Sequence, residues 1–348
     1  GSAGEMNRRY HIVVVGGGVT GLMIATLLSK GPNNEALDIT LVDAALRPSY
    51  DRDGEVALRV SAIARGTAEL FDSVAAWDFV EATRASPYES MRVWDESDAP
   101  DGASSLCFDA AEFAVPQLGF IVENALLQES LLRELDATDT ELRFGERIES
   151  LCRKARQFHI KLEDGEVLAA DLVIGADGAR SFVRSAAGIE ANEWPYEQTA
   201  FVTHLQPEKP HHATAWQRFL RTGPLGILPL QDGRVSVVWS TTPEQAKEAL
   251  DADDEALGRM LSDASDYVLG SLQVAGPKGS FPLCARHATS YVLPNLALIG
   301  DAAHAIHPLA GQGANLGLQD AAQLAAVVAQ AIDEGLHPGD RPVLRRYE

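Results

Sequence analysis

The run His11-Ile12-Val13-Val14-Val15, followed at once by Gly16-Gly17-Gly18-Val19-Thr20-Gly21, constrains this chain more than any other feature. Five residues ending on a glycine cluster read as a buried strand, and the apolar positions that follow, through Leu28, read as a helix. Strand, tight turn and helix form the opening of a βαβ unit. The spacing G-x-G-x-x-G is the one such a turn adopts when it faces a dinucleotide. Gly16 permits the turn, Gly18 lets a pyrophosphate approach the backbone, and Gly21 lets helix and strand pack closely. A second strand, Ile39 to Val42, ends in Asp43, an acid placed to accept hydrogen bonds from ribose hydroxyls.

Two further stretches repeat the theme of a strand ending in a glycine-rich turn. Asp171 to Ala176 reads as a buried strand leading into Asp177-Gly178-Ala179-Arg180-Ser181-Phe182-Val183-Arg184. Asp177 then stands at a strand's carboxyl end, where ligands of open α/β sheets gather, and Ser181 can cap the helix that follows. Leu296 to Ile299 is a third apolar run, ending at Gly300-Asp301 and continuing as AAHAIHPLAGQGANLGLQD to Asp320. Asp301 is placed to accept hydrogen bonds from hydroxyls of a bound ligand. Gly311 and Gly313 frame a loop, and the spacing of Ala314, Leu316, Leu318, Ala321 and Leu324 predicts a helix. Its first N–H groups, near Gly313, Ala314 and Asn315, are left unpaired and pointing outward, a seat for something anionic or electron-rich.

These three motifs together resemble the FAD-dependent aromatic hydroxylases related to p-hydroxybenzoate hydroxylase. Within that group, His307 to Asp320 is similar to the signature of the ubiquinone-biosynthesis flavin hydroxylases, and the likeness runs from about Tyr10 to the last residue. The resemblance implies FAD as cofactor, NAD(P)H and O₂ as co-substrates, and hydroxylation of a polyprenylated ring. It implies that an arginine near residue 59 contacts the FAD: Arg59 is the candidate, Arg52 and Arg65 its substitutes, and a surface ion pair is the plain alternative. It also implies that Gln128, on the first turn of a helix from Glu123, touches the flavin nucleotide; an exposed glutamine is the alternative. The pattern D-G-x-x-S-x-x-R at Asp177 carries, by resemblance, a part in both FAD and NAD(P)H interaction. The family continues past the position of Glu348 through more helix, so a further C-terminal tail is expected.

Between these motifs the pattern changes. Residues 86–115 and 194–240 alternate apolar and polar, with Asp232-Gly233 as a hairpin turn, and predict an antiparallel sheet with one apolar wall. Leu228, Pro229, Val237 and Trp239, with Pro308, are the candidate substrate pocket. Residues 243–266 form an acidic helical stretch, read as a solvated face over a covering helix. The predicted architecture is α/β: a Rossmann-like FAD-binding domain (6–75, 116–190 and 286–348) interleaved with an α+β substrate domain (76–115 and 191–285). Residues 1–5, before Met6, read as an expression scar.

Bulk properties narrow the partners. With 29 basic and 50 acidic side chains the formal charge is −21, which disfavours nucleic acid and anionic lipid as electrostatic partners. No apolar run is long enough for a spanning helix. A cytoplasmic chain is expected, at most peripheral at the inner membrane face and served by other ubiquinone-biosynthesis proteins that help present an apolar phenol or quinol. Cys107, Cys152 and Cys284 are far apart, fit a reducing compartment and are expected to be buried. The nine histidines show no metal-ligand spacing, so no metal is expected. No triad or paired carboxylates are legible, which is the pattern of a chain whose cofactor carries the chemistry. His304 and His307 flank the glycine loop: a structural hydrogen bond is the expected role, a general base the sharper one. Two rival functions remain: the same fold acting on a small soluble aromatic, and a non-catalytic FAD-binding organiser of a biosynthetic complex.

Overall fold

The computed structural model describes residues 8–305 and 313–348, and of Pro195 and Tyr196 the backbone alone. Its first layer is a six-stranded sheet. The strands lie in the order Val292–Leu293, Leu296–Leu298, Leu172–Gly175, Tyr10–Val15, Leu37–Asp43, Glu141–Phe144. From Leu296–Leu298 onward every neighbour pair is parallel, and only the short Val292–Leu293 edge is antiparallel. Ile12, Val13, Val14, Leu41 and Leu172 to Ile174 are fully buried. Both faces of such a sheet must be covered, which is why its strands are apolar throughout rather than alternating.

One face is covered by the helices Val19–Lys30, Asn124–Asp136 and Gly313–Asp333, whose Leu22, Ile24, Leu127, Leu131, Leu318 and Leu324 share one core with Ile12, Val14 and Leu41. The helix Gly313–Asp333 lies against Val19–Lys30 where Gly317 leaves room: a Cβ there would sit 2.7 Å from the Thr20 hydroxyl oxygen. The other face is covered by the antiparallel strands Ile148–Lys154, Gln157–Leu162 and Val167–Ala170, through Phe158, Ile160 and Leu162. A turn at Asp164-Gly165 joins the last two, with Gly165 at φ +93°.

The second layer is an eight-stranded sheet: His304–Ala305, Leu272–Ala288, Ala191–Pro207, Val235–Thr241, Gly223–Pro229, Thr214–Leu220, Ser90–Asp95, Leu106–Asp109. It is antiparallel except where Thr214–Leu220 meets Ser90–Asp95. Asp232-Gly233 makes the predicted hairpin. On one face the acidic stretch forms two helices, Pro243–Asp251 and Asp254–Ala264, capped by Thr242 and Asp253. They are more than a solvated cover. Ala246, Ala249, Leu257 and Leu261 are buried against Phe201, Leu225 and Ile227. The opposite face meets a small sheet of Val60–Ala64, Gly119–Glu123 and Ser86–Tyr88.

Two expectations change. Trp77 and Val80, on the helix Trp77–Arg84, lie in the core of the parallel sheet with Phe71 and Phe120 rather than with the antiparallel sheet. Cys107 and Cys152 are exposed and Cys284 half-buried, because the first two lie on edge strands, where one side of the backbone has no neighbour.

Candidate functional site

Three strand ends of the parallel sheet deliver their loops to one edge. At the first, the Gly16 N–H donates to the Val42 carbonyl at 2.9 Å, and Gly16 adopts φ +118°. A Cβ on Gly16 would lie 2.2 Å from the Ala176 oxygen, and one on Gly21 only 1.8 Å from the Gly16 oxygen. Gly18 is different: a Cβ there meets nothing within 4 Å. The helix begins on the next residue with no acid in its first turn, so its free N–H groups look into an open cradle suited to an anionic group. The structure therefore has the clearance and the donors that a dinucleotide pyrophosphate needs.

Asp43 closes the adjacent strand. Its carboxylate accepts from the Gly17 N–H at 2.5 Å and from the Ala45 N–H at 2.7 Å, which fixes the acid beside the glycine turn. Gln128 donates its side-chain amide to the Gly17 carbonyl at 2.9 Å. It is half-buried, and it acts on the turn from the helix Asn124–Asp136.

At the second strand end, Asp177 accepts from the Ser181 hydroxyl and from the Val183 N–H, and burial raises its pKa. Ser181 caps its short helix by accepting from the Arg184 N–H at 3.0 Å. Arg184, 4% exposed, donates to the Ala302 carbonyl at 2.9 Å and the Ala179 carbonyl at 2.7 Å. It therefore ties the Asp177 loop to the turn at Gly300–Ala302.

At the third, Gly300 turns with φ +63°, and its N–H donates to the buried carboxylate of Asp320 at 2.9 Å. The same Asp320 oxygen holds His304 Nε2 at 2.6 Å, and this contact raises the His304 pKa. Asp301 keeps solvent contact, while desolvation raises its carboxyl against the opposing charges of His304 and Arg59. Arg59 lies over the Phe281 ring, 4.5 Å from its centroid. Of the three arginines weighed for this place, Arg65 is instead bonded to Gln117 and Arg52 is exposed on a loop. Asn315 accepts from the Ala64 N–H and the Thr67 hydroxyl and donates to the Ala62 carbonyl. It thereby clamps the N-terminus of its helix, with Gly313 and Ala314, to the strand Val60–Ala64. His307, Pro308 and Gly311 lie outside the described residues.

Sequence reasoning does not single out Asp320 or Arg184 as site residues. Asp320 does carry a signal: it is an acid between Leu318 and Ala321 on the buried face of a helix, where a charge needs a partner.

The expected pocket wall divides. Val237 and Trp239 pack with Phe201, Leu225 and Leu257 under the two covering helices, and Pro229 shares their face through its pairing with Val235. Leu228 points the other way and meets Val60, Ala62, Tyr88 and Ile121. Adjacent strand residues face opposite sides, so of the four only Leu228 belongs to the wall that meets the small sheet.

A family model described as FAD binding domain matches residues 9–341. The chain is 36% identical over 345 residues to the Escherichia coli K12 protein named 3-demethoxyubiquinol 3-hydroxylase, covering 98% of this chain and 85% of that one. It is 36% identical over 385 residues to the mitochondrial ubiquinone biosynthesis monooxygenase COQ6 of Xenopus tropicalis, covering 97% and 82%. Among solved structures, Pseudomonas aeruginosa PqsL in complex with 2-aminobenzoylacetate superposes with TM-score 0.78 at 22% identity, over 98% of this chain and 91% of that one. Klebsiella pneumoniae HpxO complexed with FAD and uric acid gives 0.72 at 20% over 97% and 83%. These structural likenesses establish the α/β fold; the open cradle at Gly18 and the family model agree on FAD as the cofactor. The chain belongs to the family of FAD-dependent hydroxylases of ubiquinone biosynthesis.

Proposed function

We propose that this chain hydroxylates the aromatic ring of a polyprenylated ubiquinone precursor, with NAD(P)H and O₂ as co-substrates. The observation that carries the reading is the convergence of the Gly18 cradle, Asp43 and Asp301 on one edge of the sheet, in a chain whose relatives bear hydroxylase names. FAD, when bound, supplies the oxygen-transfer chemistry; the chain binds, orients and excludes water. Gly18 and the helix behind it hold the pyrophosphate, and Asp43 the adenosine ribose. Asp177, Asp301, Arg59 and the N-terminus at Gly313, Ala314 and Asn315 hold the flavin end. Gln128 serves by fixing the Gly17 carbonyl that borders the cradle. Leu228, Val60 and Ala62 form the apolar wall. His304, held by Asp320 together with the Gly300 N–H, ties this turn to the helix Gly313–Asp333 rather than moving a proton.

Residues 6–85, 116–190 and 286–348 form the FAD-binding unit in this reading, and 86–115 with 191–285 the substrate unit. No helix among the described residues is long and apolar enough to cross a membrane. A cytoplasmic protein working peripherally at the inner face, with other pathway proteins delivering the lipid, is part of the same proposal.

The test is lipid mass spectrometry on cells lacking the gene, paired with ¹⁸O₂ turnover of the FAD-loaded protein on a short-chain polyprenyl phenol. The expected result is accumulation of a polyprenylated intermediate short of one ring oxygen, and a single ¹⁸O in the product. Hydroxylation of only small soluble aromatics, or retained FAD with no NAD(P)H-dependent product, would sink the reading in favour of one rival or the other.

A further inference from the structure

Between the small sheet and the hairpin at Asp232-Gly233 lies a cavity of about 160 Å³. Val56, Val60, Ile121 and Leu230 give it apolar walls, Arg84 and Glu123 a charged end, and Ser86, Gln231 and Asp232 also line it. Arg84 Nε stands 2.9 Å from a Glu123 carboxylate oxygen, with the two side chains 19% and 2% exposed. Tyr50 donates its hydroxyl to Glu123 at 2.8 Å, the Ala57 N–H donates to the other carboxylate oxygen at 2.8 Å, and Arg84 donates to the Gly54 carbonyl at 2.9 Å. The pair is thus held from several sides by the loop that precedes Val60.

A buried ion pair is a poor device for stability, since apolar residues of the same volume serve as well or better. Its location is what gives it meaning. A cavity of about 150 Å³ accommodates one benzene ring, and this one sets a guanidinium donor beside a carboxylate acceptor at the end of such a space. A ring hydroxyl both donates and accepts, and a neighbouring ether oxygen accepts again. A polyprenyl chain has nothing to offer either charge, and contact with it would strip them of polar surroundings. The cavity is also well placed. Val60 lies two residues before Ala62, roughly 7 Å along the strand, and the Ala62 carbonyl is the one that Asn315 grips at the start of the helix Gly313–Asp333.

We propose that this cavity recognises the oxygenated edge of a single aromatic ring, a phenol with a neighbouring hydroxyl or methoxyl group. Arg84 donates to its oxygens and Glu123 accepts from its hydroxyl. The assignment rests on the hydroxylase reading, and it makes Arg84 and Glu123 specificity-determining residues for the head of the substrate, with the tail directed elsewhere.

The experiment measures binding of 2-methoxyphenol and of 1,2-dimethoxybenzene, which lacks the donor, to the FAD-loaded full chain by calorimetry, with turnover followed in parallel. The wild type is expected to prefer the phenol by about tenfold, the worth of one hydrogen bond to a charged group. Arg84→Met combined with Glu123→Leu removes both charges together and is expected to abolish the preference. Val56→Phe fills the cavity without touching the pair and is expected to weaken both ligands; circular dichroism reports that each variant is folded. Equal phenol affinity in the wild type and both variants would overturn the proposal, and so would a wild type that binds neither ring. If hydroxylation persists with unchanged preference in the variants, the cavity assignment alone fails. If the ring binds with the expected preference but is never hydroxylated, the hydroxylase reading alone fails.

Discussion

At Gly18 a side chain would enter empty space, whereas at Gly21 it would strike a carbonyl oxygen. Two glycines of one turn therefore fail in different ways. Gly18→Val is expected to leave the unfolding midpoint of the FAD-free chain nearly unchanged and to abolish FAD binding, read by fluorescence titration. Gly21→Ala is expected to destabilise the FAD-free chain itself by about 3 kcal/mol, the upper end for overpacking. The His304–Asp320 contact gives a second test. His304 is raised above its ordinary value by Asp320, so the protonated pair stabilises the fold in full below the ordinary imidazole pKa. That contribution disappears as pH rises through the raised value. Asp320→Asn is expected to cost about 3 kcal/mol on the acid side, where it strands a buried charge. Denaturant titrations across pH should show the gap narrowing on the alkaline side. The glycine spacing makes the first of these residues legible in the sequence. The partner of Asp320 is not, because the contact joins a helix interior to a short strand sixteen positions earlier and depends on how both fold.

Among the elements, the strand Val235–Thr241 shows the limit of pattern reading. Alternation marks two faces but does not say which face meets which neighbour. The helices Pro243–Asp251 and Asp254–Ala264 decide it. Their acidic composition hides an Ala and Leu stripe that claims Val237 and Trp239 and leaves Leu228 for the other wall. Trp239→Ala is expected to cost about 3 to 5 kcal/mol of stability with KM for the ring substrate within about twofold of wild type. Leu228→Phe should raise that KM about tenfold, roughly 1.4 kcal/mol of lost binding. Equal KM effects at the two positions would contradict the assignment of faces. The strand–turn–helix units, by contrast, are readable almost residue by residue, since glycine, strand and helix preferences there are local and agree with one another.

For the molecule as a whole, the three motifs locate the ligand edge of the parallel sheet from sequence alone. Their mutual contacts come only with the fold: Arg184 reaching the Ala302 carbonyl, and Arg59 lying over the Phe281 ring. Such contacts join residues a hundred or more positions apart, beyond the reach of spacing. Arg84 and Glu123 are closer in sequence, but their contact likewise comes only with the fold, which brings the end of the helix Trp77–Arg84 to the end of the strand Gly119–Glu123. The two seventeen-residue strands, Ala191–Pro207 and Leu272–Ala288, give the molecule its mechanics. Their ladder starts at Ala288, in the core beneath the parallel sheet, and ends at Leu205 and Leu272, in the core under the acidic helices. Strands of this length, about 55 Å at roughly 3.3 Å per residue, form a girder riveted at both ends. A force sliding one strand past the other loads its hydrogen bonds in shear, at about 1 kcal/mol each, in the segments between the register shifts at Trp194/Gln198 and Thr203/Leu205. The ladder therefore resists a hinge-like swing of one end against the other, and the loop 44–59, which meets it through Leu58 and Arg59, is tied down in turn at Tyr50, Gly54 and Ala57.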